Sequence, residues 1–187
     1  MIEEIKKACR VLQEGGVILY PTDTVWGIGC DATNPEAVKK VYELKQRADS
    51  KAMLVLVDSP VKVDFYVRDV PEVAWDLIEM ADKPLTIIFS DARNLAPELL
   101  AEDGSVGIRV THEAFSQGLC RQFRKAIVST SANISGQPSP ANFAAISDEV
   151  KQAVDYIVNI RQEEKTSPKP SSIIRLEAGG VFKIIRP

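Results

Sequence analysis

The stretch Gly15-Gly-Val-Ile-Leu-Tyr-Pro-Thr-Asp-Thr-Val-Trp-Gly-Ile-Gly29 decides the fold. Before it, Ile2, Ile5, Cys9 and Leu12 recur at spacings of three and four, the pattern of a helix with one apolar stripe. The glycine pair stops that helix, because glycine takes the left-handed cap conformation without a Cβ penalty. Val17 to Tyr20 is then a short apolar run closed by Pro21, which predicts a buried strand. Beyond the stretch, Asn34-Pro35 offers an N-cap followed by proline at the first helical position. Ala37, Val38, Val41, Tyr42 and Leu44 supply the inward face of that second helix. Helix, buried strand and helix in succession set the rhythm of an α/β chain.

The rhythm continues to the end. Apolar strands are predicted at 53–57, 85–89, 106–110, 126–129, 154–160, 173–176 and 181–185. Helical stretches are predicted around 60–67, 71–81, 115–123 and 142–153. Residues 130–142 are rich in Ser, Asn, Gly and Pro, and Gln162–Pro170 reads as a loop. No repeat or low-complexity linker interrupts the pattern, so residues 1–187 read as one α/β domain. Connectivity is not legible at this level, and a mixed sheet fits as well as a parallel one.

Composition narrows the class. A chain of 187 residues that is 45% hydrophobic and 26% charged has the balance of a folded globular domain, not of a disordered or collagen-like one. No apolar run approaches the roughly 18 residues of a membrane span, and Met1-Ile-Glu-Glu is no secretory signal. Cys9, Cys30 and Cys120 are odd in number and far apart, as expected of buried free thiols in a reducing cytoplasm. The net charge of −3 argues against bulk attraction to a polyanion. Lys39, Lys40, Lys45, Arg47 and Lys51 nevertheless cluster against only Glu43 and Asp49, which points to a discrete anion site.

Standard signatures are missing. The chain has no P-loop, no complete dinucleotide fingerprint around Gly27-Ile-Gly29, and one histidine, His112, with no nucleophile elbow. Four stretches carry chemistry instead. Pro21–Gly29 brings hydroxyls and bare backbone to a strand end, fit either to grip a small polar ligand or to close a turn on Asp23. Lys45-Gln-Arg47 with Lys51 is either a solvated basic turn or a triphosphate clamp of one fork and two point charges. Ser129–Ser139 offers N–H and O–H donors around Gly136, as an anion loop or as plain surface. Arg109 ends an apolar strand, with Ser171-Ser172 and Arg186 to consider beside it. Cations and hydroxyls at strand ends are where open α/β sheets bind ligands, here an anion such as a nucleotide.

Taken in order, Pro21-Thr-Asp-Thr-Val-Trp-Gly, Lys45-x-Arg47 with Lys51, Ile108-Arg109, Ser129-Thr-Ser-Ala-Asn133-x-Ser-Gly136, Pro138-Ser-Pro140 and the closing Ile-Ile-Arg186-Pro resemble the Sua5/YrdC/YciO family. The resemblance spans the chain from about residue 10 and is to the short YrdC type. It implies a single-domain, twisted, open mixed α/β sheet flanked by helices. It also implies a nucleotidyltransferase that makes threonylcarbamoyl-AMP and pyrophosphate from L-threonine, bicarbonate or CO2, and ATP. That product is the first stage of a tRNA N6-threonylcarbamoyladenosine modification, passed to a downstream transferase complex.

Carried over residue by residue, Thr22, Arg109, Ser129 and Ser171 would contact threonine. Lys45 and Arg47 would hold the ATP phosphates, with Lys51 nearby as a third catalytic cation. Ser131, Asn133, Ser139 and Arg186 would complete the nucleotide side. Mg²⁺ is expected with the ATP, although no carboxylate pair marks protein ligands for it. Trp26, Ala48, the Ile160–Glu163 run and Ser172 depart from the family's usual residues. Two alternatives remain: an RNA-binding module that uses the same basic pocket on tRNA or duplex RNA, and ATP-dependent carbamoylation of another acceptor.

Overall fold

A computed structural model describes residues 1–46, 53–166 and 168–187. α1 (Ile2–Gln13) ends as its sequence dictates: Gly15 takes φ +76°, and the amides of Gly15 and Gly16 bond back to Leu12 and Val11 at 3.1 and 2.8 Å. β1 (Ile18–Tyr20) is buried throughout. The loop expected after it is partly a strand, since Gly27–Gly29 forms β2, antiparallel to β1. A Cβ on Gly29 would lie 2.6 Å from both Tyr20 Cε1 and the Val128 carbonyl, so β2 needs bare backbone and lacks the side chains that announce a strand. α2 (Pro35–Lys45) opens on Asn34, whose carbonyl oxygen accepts the Glu36 and Ala37 amides, and closes at Gln46 in the left-handed region.

Then follow β3 (Leu54–Val57), α3 (Val63–Tyr66), α4 (Val73–Met80), β4 (Leu85–Phe89), β5 (Val106–Val110), α5 (Ala114–Phe123) and β6 (Ile127–Ser131). After these come α6 (Asp148–Ala153), β7 (Tyr156–Ile157), β8 (Ser172–Leu176) and β9 (Phe182–Arg186). β6 runs two residues beyond its expected end and draws Thr130 and Ser131 into the sheet. The helix expected at 142–153 splits, because Ser147 caps the Val150 amide at 3.3 Å and starts α6 afresh after a 3₁₀ turn at Phe143–Ala145. The strand expected at 154–160 shrinks to β7. Past Val158 the backbone turns away from β1, and the Asn159 amide bonds the Glu4 carboxylate instead of a neighbouring strand.

The nine described strands form one mixed sheet in the order β7-β1-β2-β6-β3-β5-β4-β8-β9, with three parallel pairs, β1–β7, β3–β5 and β4–β8. Alternation along each strand gives the sheet two different faces. Leu19, Val55, Val57, Val128 and Ile174 pack into a cluster with residues of α2, α3 and α4. Ile18, Tyr20, Leu56 and Ile127 face the other way, against Leu12 of α1 and Leu119 of α5. Each such buried side chain contributes roughly 1.5–3 kcal/mol. The second cluster takes no buried member from β4, β5, β8 or β9, so none of the described helices packs on that half of the face.

Candidate active site

One row of paired residues shows what the uncovered face does. Ile127, Leu56, Arg109, Thr86, Ile173 and Arg186 are successive partners across six strands. The row is apolar beneath α5 and turns polar where the helices stop. Alongside it run Ser129, Leu54, Gly107, Ile88, Arg175 and Lys183. A Cβ on Gly107 would press within 3.2 Å of Thr86 and 3.3 Å of Leu54, so glycine keeps this floor low. The result is a groove of about 430 Å³ with walls of small hydroxyl residues. That is the size of a small-ligand site.

Arg109 is the centre of one end. It is 3% exposed, with Nη2 3.0 Å from Asp23 Oδ1 and 3.3 Å from Thr24 Oγ1, and Nη1 3.4 Å from Thr86 Oγ1. Its Nε has no hydrogen-bond partner among the described residues, and the ionic contact leaves Asp23 Oδ1 without a well-angled one. Buried polar atoms without partners are costly and rare, and two of them meet here at the Arg109–Asp23 pair. Thr86 and Ser171 share a hydrogen bond of 2.8 Å, and Arg186 Nε donates to the Ser171 carbonyl at 2.8 Å. Burial pushes the Asp23 carboxyl above its ordinary value, against the opposing pull of Arg109. Arg186 is held below the usual arginine value by partial burial and then by the charge of Arg109. Two guanidinium groups against one carboxylate leave this end an anion site.

Lys45 organises the other side. Its side chain is buried at the end of α2, and Nζ donates to the carbonyls of Ser131 and Asn133 at 2.6 and 2.7 Å. The Ser135 amide returns a bond to the Lys45 carbonyl at 2.8 Å. This clamp fixes the segment leaving β6 against α2. Asn133 Nδ2 bonds the Gln137 carbonyl at 2.7 Å, while its Oδ1 is buried without a partner among the described residues.

Of the expected site residues, Arg109, Ser129, Ser131, Ser139, Ser171 and Arg186 line this one groove. Thr22 is turned inward: its hydroxyl donates to the Val25 carbonyl and accepts the Thr24 amide, so Thr24 is the threonine that reaches the groove. Lys45 and Asn133 stand behind the lining, and Arg47 and Lys51 lie outside the described residues. Sequence reasoning missed Thr24, Thr86 and Arg175. Thr86 and Arg175 are single polar residues inside apolar strands, and only the pairing register sets Thr86 beside Arg109 and Arg175 beside Ile88 at the groove. His112 is exposed at the surface. Among the described residues the groove lining contains no Asp or Glu, and no cluster of His, Cys, Asp or Glu could hold a metal. No described helix is long and apolar enough to cross a membrane.

Comparison with known proteins matches residues 10–187 to a family model named Sua5_yciO_yrdC, described as "Telomere recombination". A threonylcarbamoyl-AMP synthase of Pseudoalteromonas translucida is 32% identical over 182 residues, covering 96% of each chain. One from Acinetobacter baumannii is 30% identical over 186 residues, covering 96% of this chain and 97% of its own. In structure the chain is similar to P. abyssi Sua5 in its complex with L-threonine. The TM-score is 0.84 at 24% identity, covering 95% of this chain but 52% of that longer one, a likeness of fold.

Proposed function

The chain belongs to the Sua5/YciO/YrdC family, and from that premise we propose that it is a threonylcarbamoyl-AMP synthase, a nucleotidyltransferase that joins L-threonine, a one-carbon unit from bicarbonate or CO2, and ATP. The observation that carries this reading is buried Arg109, which bonds Thr24 and Thr86, with Ser171 on Thr86, and whose Nε has no partner among the described residues. A guanidinium fork in a dry setting suits an amino-acid carboxylate, and the surrounding hydroxyls suit its polar side chain.

In the proposed reaction the threonine amine loses a proton and attacks CO2, giving a carbamate. A carbamate oxygen then attacks the α-phosphorus of ATP, the bond to the β-phosphate oxygen breaks, and pyrophosphate departs. Such displacement needs alignment and charge neutralisation more than a nucleophile on the protein. Arg109 is proposed to hold threonine, with Ser129 and Ser171. Arg186, Ser131, Asn133 and Ser139 are proposed for the nucleotide. Lys45 and Arg47 are proposed for the phosphates, and Lys51 for the same charge balance. Lys45 also keeps the segment after β6 in position through its two carbonyl bonds. Magnesium is treated as part of the ATP substrate. The proposal extends to a cytoplasmic setting, to a downstream tRNA-modifying partner and to the tRNA modification itself.

The test is pyrophosphate release from ATP and Mg²⁺, with and without L-threonine and bicarbonate. The reading expects release that needs both. ATP binding without threonine-dependent release would move the reaction to another acceptor, and binding of duplex RNA with no ATP binding would leave an RNA module. Lys45→Ala and Arg47→Ala are each expected to abolish release in a chain that still folds, and full activity in both would remove the phosphate assignment.

A further inference from the structure

The sheet order imposes an unusual connection. β7 and β8 are consecutive in the chain but stand seven strand spacings apart, with six strands between them. At about 4.8 Å per spacing that crossing is roughly 34 Å. The residue steps from Ile157 to Ser172 reach about 50 Å when fully extended. The connection delivers Pro170 and Ser171 to the groove wall. Its leading end leaves the sheet beside the Pro21–Val25 turn, because β7 is parallel to β1 and the Val158 amide bonds the Leu19 carbonyl at 2.9 Å.

Arg161 stands at that departure point, and three observations on it converge. Its φ is +58°, a backbone conformation that L side chains rarely adopt. Its Nη1 donates to the Thr22 carbonyl at 3.1 Å and lies 3.3 Å from Glu113 Oε1, while Nε bonds Glu164 at 2.8 Å. Glu113 is itself fixed, since its carboxylate caps α5 by accepting the Phe115 and Ser116 amides at 3.1 and 2.8 Å. One side chain thus ties the start of the crossing segment to the base of α5 and to the peptide next to Asp23. Asp23 in turn contacts Arg109.

We infer that Arg161 is a positioning residue. By holding the Thr22 carbonyl against the anchored Glu113, it fixes the turn that sets Asp23, and through Asp23 it sets the orientation of Arg109 toward the substrate carboxylate. The inference rests on the proposed function only for the identity of that substrate. The strained backbone at residue 161 fits the role, because arginine persists at such a position only where the surrounding structure over-determines it.

The test uses Arg161→Gly, Arg161→Ala and Arg161→Lys. Glycine keeps the left-handed backbone without strain, so Arg161→Gly removes the side chain and its guanidinium with no backbone penalty, whereas Arg161→Ala also carries that penalty. The expected result for Arg161→Gly is a KM for threonine raised about tenfold, with kcat within about threefold and the KM for ATP unchanged. Arg161→Lys should lie in between. Amide hydrogen exchange at residues 22–25 should quicken in Arg161→Gly relative to the parent chain with no substrate present. An unchanged threonine KM with unaltered exchange at 22–25 would overturn the inference, as would a loss confined to kcat. If the parent chain shows no threonine-dependent release, the function reading falls, and the exchange measurement still decides whether Arg161 holds the turn.

Discussion

Two arginines line the same groove two strands apart, and they behave as opposites. Arg109 on β5 is buried, faces one carboxylate and the hydroxyls of Thr24 and Thr86, and keeps Nε without a partner among the described residues. Arg175 on β8 is partly exposed and pairs with Asp103 and Glu177. Burial raises the Asp23 carboxyl at the first arginine, while hydrogen bonds from Ser105 and then from Arg175 hold Asp103 down at about 2. A satisfied exposed pair is a surface feature, worth little and screened by salt. A buried pair with an idle donor is costly by itself, which supports the ligand role proposed for Arg109. The difference teaches where in one continuous groove the chemistry belongs.

The largest effect should come from breaking the buried pair. Arg109→Ala removes the fork and leaves Asp23 buried without a counter-charge, so chemical denaturation should show a loss of about 3–5 kcal/mol. Threonine-dependent pyrophosphate release should fall by about a thousandfold or more. The double variant Asp23→Asn with Arg109→Gln separates the two losses, because neither buried group is then charged. It should regain most of the stability and none of the turnover. Recovery of turnover in the double variant would mean that Arg109 is only a structural partner of Asp23.

Next in size is the hydroxyl shell. Ser171→Ala leaves Thr86 Oγ1 and the outer nitrogen of Arg186 without the bonds of 2.8 and 3.4 Å that Ser171 Oγ provides. A loss of about 1–2 kcal/mol in denaturation is expected. The KM for threonine should rise about tenfold. The same substitution at Ser105, toward the Arg175 end, should leave the threonine KM where it was. If the two serines behaved alike, the contrast between the ends of the groove would fail.

Much of this arrangement was legible in the sequence, and the rest has a physical reason for being hidden. α1, β1 and α2 were readable because glycine, proline and asparagine mark their ends by local geometry, as the left-handed Gly15 and the Asn34 cap confirm. β2 was not, because a strand of two glycines and one isoleucine carries no alternation. The site residues Arg109, Ser129, Ser131, Ser139, Ser171 and Arg186 were readable as types at strand ends and in loops, and they do meet in one groove. Thr86 and Arg175 were hidden because their relation to the groove depends on the neighbours of β4 and β8, which is long-range pairing and not composition. The Thr22–Thr24 exchange was hidden for the converse reason: a turn hydroxyl that bonds its own backbone looks the same in sequence as one that faces a ligand.

The smallest effects belong to the exposed pair, and pH gives them a sign. Arg175→Gln should change stability by less than about 1 kcal/mol. Turnover should stay within about threefold, which is the mildest outcome for any arginine in the groove. Asp103 has a folded value near 2 against an ordinary 3.8, so its contribution is present above the ordinary value and is lost as pH falls from about 4 toward 2. Asp23 has the opposite slope. Its folded value is raised, the folded chain binds the proton more tightly, and its contribution falls as pH rises from 3.8 through that raised value. Denaturation curves across the acid range should therefore show Asp103→Asn flattening the loss below pH 4 and Asp23→Asn flattening the decline above it. Asp103 is half exposed, so the first change should be slight and should shrink further in high salt. An Asp103→Asn chain with an unaltered acid limb would mean that the exposed pair contributes nothing measurable, and the electrostatics of the groove would then reside wholly at Arg109.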